Sequence, residues 1–132
     1  MNIYLGIKYH PDGLNRPDIE SIAALLEAQG HVITCVFRDL ENWGVSKFEP
    51  RELMSRTFDI IDATDLVLID LSEKGVGLGI EAGYAYARRK TIVTIAKSGS
   101  DISDTLRGIS ADVIIYDTHR NLAEKLSRWL KP

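Results

Sequence analysis

Glu81 is the residue of this chain whose surroundings most strongly suggest chemistry. Glycine recurs at positions 75, 77, 79 and 83 around it, soon after a strongly apolar run. Glycines let a ligand approach the backbone closely, and unpaired N–H groups in the first turn of a helix favour an ionised carboxylate. Such a carboxylate can attack, or stabilise, an oxocarbenium-like sugar carbon, as glycosidase carboxylates do. The competing interpretation is that Glu81 only complements a helix start on the surface.

The elements that must position Glu81 are predicted to form a parallel sheet covered by helices. Continuously apolar runs predict five strands, because parallel strands are buried on both faces. Alternating helices imply right-handed crossovers, and the expected fold class is α/β: a doubly wound five-stranded sheet of flavodoxin-like order 2-1-3-4-5, with helices on both faces. A length of 132 residues fits one domain, residues 1–132. The strands are predicted at 3–7, 32–37, 66–71, 92–96 and 113–116, and the helices at 17–29, 50–63, 79–89, 102–106 and 119–130.

The predicted topology also indicates where a ligand binds. In such sheets ligands occupy the crevice beyond the carboxyl ends of the strands, beside the switch point between strands 1 and 3. Lys8 and Lys74 flank that crevice and could hold a phosphate, although solvated lysines are an alternative. The loop over residues 38–49 is long enough to be a lid. Its Trp43 and Phe48 either stack on a base or anchor the loop to the domain.

Composition excludes several classes of function. The net charge is −3 and the isoelectric point about 5.6, so the chain lacks the basic footprint of a nucleic-acid binder. A single cysteine, Cys35, rules out an internal disulfide and a cysteine-based zinc site, and the three histidines lack ligand spacing. We therefore expect no metal or cofactor. With no signal peptide and no apolar stretch of membrane-spanning length, a cytoplasmic protein that does not engage membranes is expected.

Two motif interpretations are weaker. Residues 77–82 match the G-x-G-x-x-A dinucleotide fingerprint, but that motif belongs on a tight turn directly after a strand, with an acidic residue closing the next strand. Here several residues separate Leu71 from Gly77, and the next strand ends in Ala96 and Lys97. Asp70 lies where a receiver domain carries its phosphoacceptor, but the acidic residues that receivers need after strand 1 are missing.

A family resemblance enters with residues 64–85. The run Thr-Asp-Leu-Val-Leu-Ile-Asp, followed by G-x-G-x-G-I-E-x-G-x-A, resembles the nucleoside 2-deoxyribosyltransferase family, nearer its 2′-deoxynucleoside 5′-phosphate N-hydrolase branch. The resemblance implies that Glu81 is the nucleophile that attacks C1′ of a 2-deoxyribosyl group and expels the base. The sugar then passes to another base or to water. It implies further that Ser103 contacts the phosphate of the substrate bound by a neighbouring subunit. A homodimer or higher homo-oligomer is therefore expected. The predicted substrate-binding residues are Gly6, Lys8, Lys74, Gly75, Gly77, Gly79 and Ser103.

The chain departs from the family pattern at several positions. Thr57 stands where the family carries an aspartate that orients the sugar and assists proton transfer. Asp59 and Asp62 are near in sequence, but helix geometry turns them about 200° and about 140° away from position 57. Residues of the hydrolases that contact the substrate, a tyrosine and two serines, are replaced here by Ile3, Ile7 and Gly75.

These departures leave other functions open. A binding or sensing module would keep the pocket without efficient chemistry, and a TIR-like NAD glycohydrolase also combines this type of fold with a glutamate. The expected ligand in every case is a nucleoside or a nucleotide.

Overall fold

Five parallel strands form one sheet in the order β2-β1-β3-β4-β5, which confirms the predicted fold class. The computed structural model describes residues 1–130; residues 131 and 132 of the predicted domain lie outside that range. The strands are β1 (Asn2–Ile7), β2 (Val32–Thr34), β3 (Leu66–Asp70), β4 (Thr91–Lys97) and β5 (Asp112–Tyr116). The α-helices are α1 (Arg16–Glu27), α2 (Pro50–Asp62), α3 (Val76–Ala87), α4 (Asp104–Ile109) and α5 (His119–Leu126).

The sheet separates two hydrophobic cores, and β1 contributes to both. Ile3 and Leu5 face the core formed with α1 and α5, whereas Tyr4 faces the core formed with α2, α3 and α4. All three side chains are at most 1% exposed. Burying an apolar side chain of this size stabilises the fold by about 1.5–3 kcal/mol. The alternation along β1 therefore fixes which residues can face α3, and Tyr4 is one of them.

The second strand is shorter than predicted. The apolar run over residues 32–37 suggested one strand, but β2 ends at Thr34 and a π-helical turn follows over Val36–Leu40. The Asp39 carboxylate accepts a hydrogen bond from the Cys35 N–H at 2.9 Å, and Arg38 donates to the Ile33 carbonyl at 2.9 Å. Such local side-chain bonds compete with strand pairing. The apolar run continues to residue 37 because the Phe37 side chain is buried in the core although it belongs to the turn and not to a strand.

The third helix begins earlier than predicted, which changes the position of Glu81. We predicted residues 79–89, but α3 runs from Val76 to Ala87, with Gly75 in extended conformation immediately before it. Glu81 therefore lies in the second turn of the helix. The unpaired N–H groups of a helix belong to its first turn, so the expected stabilisation of an ionised carboxylate by those groups is wrong.

The remaining elements differ only at their ends. The last helix, predicted to reach residue 130, ends as an α-helix at Leu126 and continues as a 3₁₀ turn over Ser127–Trp129. The short helix before β5 covers Asp104–Ile109, two residues later than its predicted start. Within residues 1–130, every helix is too short or too polar to traverse a lipid bilayer.

Gly6 is predicted to be required for packing between β1 and α3. A Cβ at Gly6 would lie 3.0 Å from Ile69 Cδ1 and 3.5 Å from Leu78 Cδ2, both in the packed core. Gly6→Val should lower the free energy of unfolding by about 1–3 kcal/mol, the usual cost of overpacking. Gly108→Ala is the control, because a Cβ there meets nothing within 4 Å in α4. Urea denaturation of both variants measures the effect, and an unchanged midpoint for Gly6→Val would contradict the assignment.

Candidate functional site

A hydrogen bond between Tyr4 and Glu81 forms the centre of the site. The buried Tyr4 hydroxyl donates to Oε1 of Glu81, which joins the inner strand β1 to α3. Gly6, next on the same face of β1, leaves room for this contact, since a Cβ there would lie 3.4 Å from Tyr4 Cε1. The sequence comparison had placed Ile3 at the position of the family's tyrosine. Ile3 faces the opposite core, so Tyr4 is the tyrosine that reaches the glutamate.

Glu81 opens onto a crevice of about 240 Å³ at the carboxyl ends of β1 and β3. This is the switch point of the sheet, where ligands of such folds bind. The walls come from the segment after β1, the π-helical turn, α2 and the start of α3. Apolar side chains and glycines make up most of the lining, which consists of Ile7, Lys8, Tyr9, Val36, Phe37, Glu41, Leu53, Met54, Thr57, Gly75, Gly77, Leu78 and Glu81.

Three of the predicted binding residues line the crevice together with Glu81. Lys8 follows β1, while Gly75 and Gly77 lie at the start of α3. A Cβ at Gly75 would contact the Lys8 side chain at 3.7 Å, so the two residues are adjacent. Gly6 lies beneath the lining, where it spaces Tyr4 from α3. The structure therefore brings five residues of the predicted site together, four in the lining and Gly6 beneath it.

The other predicted binding residues lie outside the crevice. The Lys74 ammonium forms an ion pair with Asp101 at 2.7 Å on the surface. Gly79 is on the exposed side of α3. Ser103 precedes α4, and its hydroxyl accepts a hydrogen bond from Thr105 at 3.3 Å. Within one copy of the chain, none of the three faces Glu81.

The electrostatics of Glu81 differ from the sequence expectation. Burial raises the pKa of Glu81 from its ordinary value of 4.5 to about 7, and the hydrogen bond from Tyr4 opposes that rise. Burial, followed by the negative charge of Glu81, raises the pKa of Tyr4 well above its ordinary value. Tyr4 therefore remains a donor at every physiological pH. A carboxyl group with a strongly perturbed pKa in a cleft is a typical candidate for a functional residue.

Several lining residues were not predicted from the sequence. Tyr9 and Phe37 supply the aromatic surface, with ring centroids 3.6 Å apart, and Glu41 adds a second carboxylate. Trp43 and Phe48, for which stacking on a base was one of two alternatives, do not line the crevice. The only sequence signal for Glu41 was its position in the long segment after β2.

Trp43 and Phe48 instead anchor the long segment, the alternative that the sequence left open. The Trp43 ring packs edge-on against Phe37 at 5.5 Å, and the Arg16 guanidinium lies 4.3 Å above it. The Phe48 ring lies 4.8 Å from the Arg56 guanidinium. These contacts hold the segment against α1 and α2.

Thr57 occupies the wall of the crevice but is not available as an acid. Its side chain is buried, and its hydroxyl donates to the Leu53 carbonyl at 2.8 Å. Asp62 points elsewhere, accepting hydrogen bonds from the Tyr84 hydroxyl at 2.7 Å and from Arg88 at 2.8 Å. Asp59 is exposed on α2. Neither aspartate replaces the one that the family carries at position 57.

The structure excludes the two weaker motif interpretations. Asp70 is 2% exposed and accepts hydrogen bonds from the Tyr116 hydroxyl and the Ser72 N–H, so it is not an accessible phosphoacceptor. Gly77 lies inside α3 and not on a tight turn after a strand. Among residues 1–130, no cluster of histidine, cysteine or carboxylate side chains has the arrangement of a metal site.

A larger depression, of about 700 Å³, lies at the amino end of β4 around Arg89 and Lys90. Among residues 1–130, no acidic side chain lines it, and ligands of this fold bind at the opposite edge of the sheet. The crevice at Glu81 is therefore the better candidate, although its volume is smaller.

Comparison with known proteins supports the resemblance. The chain is 24% identical over 136 residues to a Thermofilum pendens protein provisionally named 2′-deoxynucleoside 5′-phosphate N-hydrolase 1, covering 98% of this chain and 95% of that protein. Among solved structures, the Clostridium botulinum CMP N-glycosidase superposes with a TM-score of 0.72 at 20% identity, covering 96% and 99% of the two chains. The 2-deoxyribosyltransferase of Bacillus psychrosaccharolyticus superposes with a TM-score of 0.74 at 14% identity, covering 98% and 96%. No family model matches the chain.

The raised pKa of Glu81 predicts a specific dependence of stability on pH. Between pH 4.5 and pH 7 the folded chain holds the Glu81 proton more tightly than the unfolded chain does, so stability falls as pH rises. Glu81→Gln lacks this titration. The free energy of unfolding of the variant, relative to wild type, should therefore rise by about 2–3 kcal/mol from pH 4.5 to pH 8. Urea denaturation across that range measures the difference, with the exposed Glu124→Gln as a control that stays flat.

Proposed function

Starting from the resemblance to the nucleoside 2-deoxyribosyltransferase family, we propose that this chain cleaves the N-glycosidic bond of a nucleoside or nucleotide through Glu81. The observation that carries the proposal is the Glu81 carboxylate, held by Tyr4, at the floor of a crevice at the switch point of the sheet. The relatives named as an N-hydrolase, an N-glycosidase and a deoxyribosyltransferase support the same class of reaction.

The arrangement of Glu81 suits a nucleophile. Tyr4 binds one carboxylate oxygen and leaves the second available to C1′ of the sugar. Attack by that oxygen forms a glycosyl ester, and the bond between C1′ and the base breaks. Transfer of the sugar to another base or to water then frees Glu81. The mostly apolar lining strengthens the interaction between the carboxylate and the developing positive charge on the sugar, because water screens less there.

Lys8 supports a substrate with a 5′-phosphate. It is the one cationic side chain among the residues that line the crevice in the described part of the chain. Its flexible ammonium can reach a phosphate at the mouth of the crevice without leaving an ion pair first. Lys74 would have to give up Asp101, so we assign the phosphate to Lys8.

A second candidate function is a nucleotide sensor without efficient catalysis. The observation that favours it is Thr57, whose hydroxyl is committed to the Leu53 carbonyl where the family carries an aspartate. In that case the crevice would bind its ligand, and the glycosidic bond would remain intact.

Base release separates the two functions. The wild-type chain is incubated with nucleosides, nucleotides and NAD, and free base is measured by chromatography. Glu81→Gln keeps the shape of the side chain but removes the charge that forms the glycosyl bond, so release should fall by a factor on the order of 10³ or more while binding persists. Glu124→Gln should behave as wild type. Undiminished release by Glu81→Gln would contradict the nucleophile, and no release by wild type would favour the sensor.

We also propose that the chain is at least a homodimer, with α3 at the interface. Val76, Ile80 and Tyr86 of α3 are 83%, 49% and 57% exposed, which leaves an apolar helix face uncovered. Ser103 lies outside the crevice of its own chain, as a residue that serves a neighbouring site would.

Sedimentation velocity at micromolar concentration tests the assembly. We expect a dimer or larger species for wild type, and Ile80→Lys should shift the population to monomer, because it places a charge within the apolar face. Leu14→Lys, at an exposed apolar side chain away from α3, is the matched control. A wild-type monomer would remove the role proposed for Ser103.

A further inference from the structure

We propose that Glu41 is a second catalytic carboxylate of the crevice, one that protonates the departing base and later deprotonates the attacking water. The proposal rests on the proposed function and deepens it. It assigns to a residue of the segment after β2 the proton transfer that Thr57 cannot perform.

The position of Glu41 is the first argument. Within the described part of the chain, Glu41 and Glu81 are the two acidic side chains that line the crevice, and they come from different elements. Retaining glycosidases use such a pair, with one carboxylate as nucleophile and the other as acid and then base. One oxygen of the Glu81 carboxylate accepts a hydrogen bond from Tyr4. Among residues 1–130, no hydrogen bond or ion pair engages the Glu41 carboxylate, so it is free to meet a ligand.

The backbone around Glu41 is fixed, which is the second argument. Its N–H donates to the Val36 carbonyl at 3.0 Å, and its own carbonyl accepts from Gly44 at 3.0 Å and Ser46 at 2.9 Å. The π-helical turn thus ends at Glu41, and such turns are frequent at functional sites.

The residues that follow Glu41 adopt an uncommon conformation. Asn42 and Trp43 have φ of 47° and 58°, a region that residues other than glycine rarely adopt. Strain of this kind persists where the surrounding structure enforces it and is common at active sites. Here Trp43 is held by Phe37 and Arg16. This strained segment directly follows Glu41, which lines the crevice.

The chemistry of the crevice suits an acid at this position. Burial raises the pKa of Glu41, which increases its protonated fraction near neutral pH. A Thr57 hydroxyl is far too weak an acid to replace it, and that hydroxyl is already bonded to Leu53.

The proposed reaction has two steps, formation and hydrolysis of a glycosyl ester on Glu81. Glu81 forms a bond from its free carboxylate oxygen to C1′ while the bond from C1′ to the base nitrogen breaks. The electron pair of the broken bond stays on the base, and the Glu41 carboxyl gives its proton to a ring nitrogen of the base. Water then attacks C1′, Glu41 removes the proton from that water, and the bond from C1′ to Glu81 breaks. Both carboxyl groups return to their starting states.

The test compares two leaving groups. Glu41→Gln is assayed on the purine nucleoside or nucleotide from which wild type releases base, and on its 7-methylated form. The methylated base is cationic in the substrate and leaves neutral, so it needs no proton. We expect kcat/KM on the unmodified substrate to fall about 10²–10⁴-fold, the usual contribution of an acid. On the methylated substrate, after subtraction of spontaneous depurination, kcat/KM should remain within about fivefold of wild type, since the proton transfer that was lost is not required.

A second readout follows the step in which Glu41 acts as a general base toward water. Because Glu41→Gln cannot deprotonate water, its kcat on the methylated substrate should fall, and added azide should restore turnover and yield a glycosyl azide. Glu49→Gln is the matched control: it lies on the same segment, exposed and outside the crevice, and should leave both substrates unaffected. Glu41→Asp, which keeps the carboxyl, should retain part of the activity and guards against a folding defect in the first variant.

The outcomes distinguish this inference from the function on which it rests. Equal losses on both substrates would show that Glu41 positions the substrate without transferring a proton, and would overturn the proposal. So would an unchanged kcat/KM on both. Absence of base release by wild type from every substrate would overturn the proposed function, and this assignment with it.

Discussion

The hydrogen bond from Tyr4 to Glu81 is the interaction on which the site depends. It crosses from the inner strand β1 to α3, so it holds together two elements that border the crevice at the switch point. Tyr4 must be fully buried to reach the carboxylate, and Gly6 must lack a side chain for the ring to lie beside α3. A residue without a side chain at one position of β1 therefore lets a polar contact lie within an apolar core.

The same interaction explains the charge state of the site. A buried carboxylate is costly unless it is hydrogen-bonded, and Tyr4 supplies one bond only. The pKa of Glu81 consequently settles at about 7, between that of a solvated glutamate and that of a fully desolvated one. A carboxylate that is only weakly stabilised in the ground state gains more free energy from interacting with a cationic transition state. Catalysis requires such an interaction to be stronger in the transition state than in the ground state. The folding stability that is lost by burying the Glu81 carboxylate thus accords with the function proposed for Glu81.

The crevice also shows how a family pattern can be kept in part and replaced in part. The glycines of α3 and the glutamate match the pattern that the chain resembles, whereas Thr57 stands where that pattern has an aspartate. The π-helical turn after β2 brings Glu41 to the same crevice from another part of the chain. A second carboxylate can therefore be supplied by a different element, provided that the backbone holds it as firmly as a helix would.

The sequence by itself determined the strand order, the switch point and the position of Glu81 beside it. Apolar runs reveal strands buried on both faces, and the alternation with helices leaves few topologies. Other features depended on the tertiary structure. Tyr4, and not Ile3, meets Glu81, because the β1 side chains alternate between two cores that are both apolar and cannot be told apart in sequence. The end of β2 at Thr34 and the position of Glu41 were decided by hydrogen bonds among residues 33–46, which interrupt an apolar run. The early start of α3 was likewise visible only in the structure. Local periodicity carries no information about such contacts, and for that reason the position of Glu81 at the crevice was predictable while the residues that contact it were not.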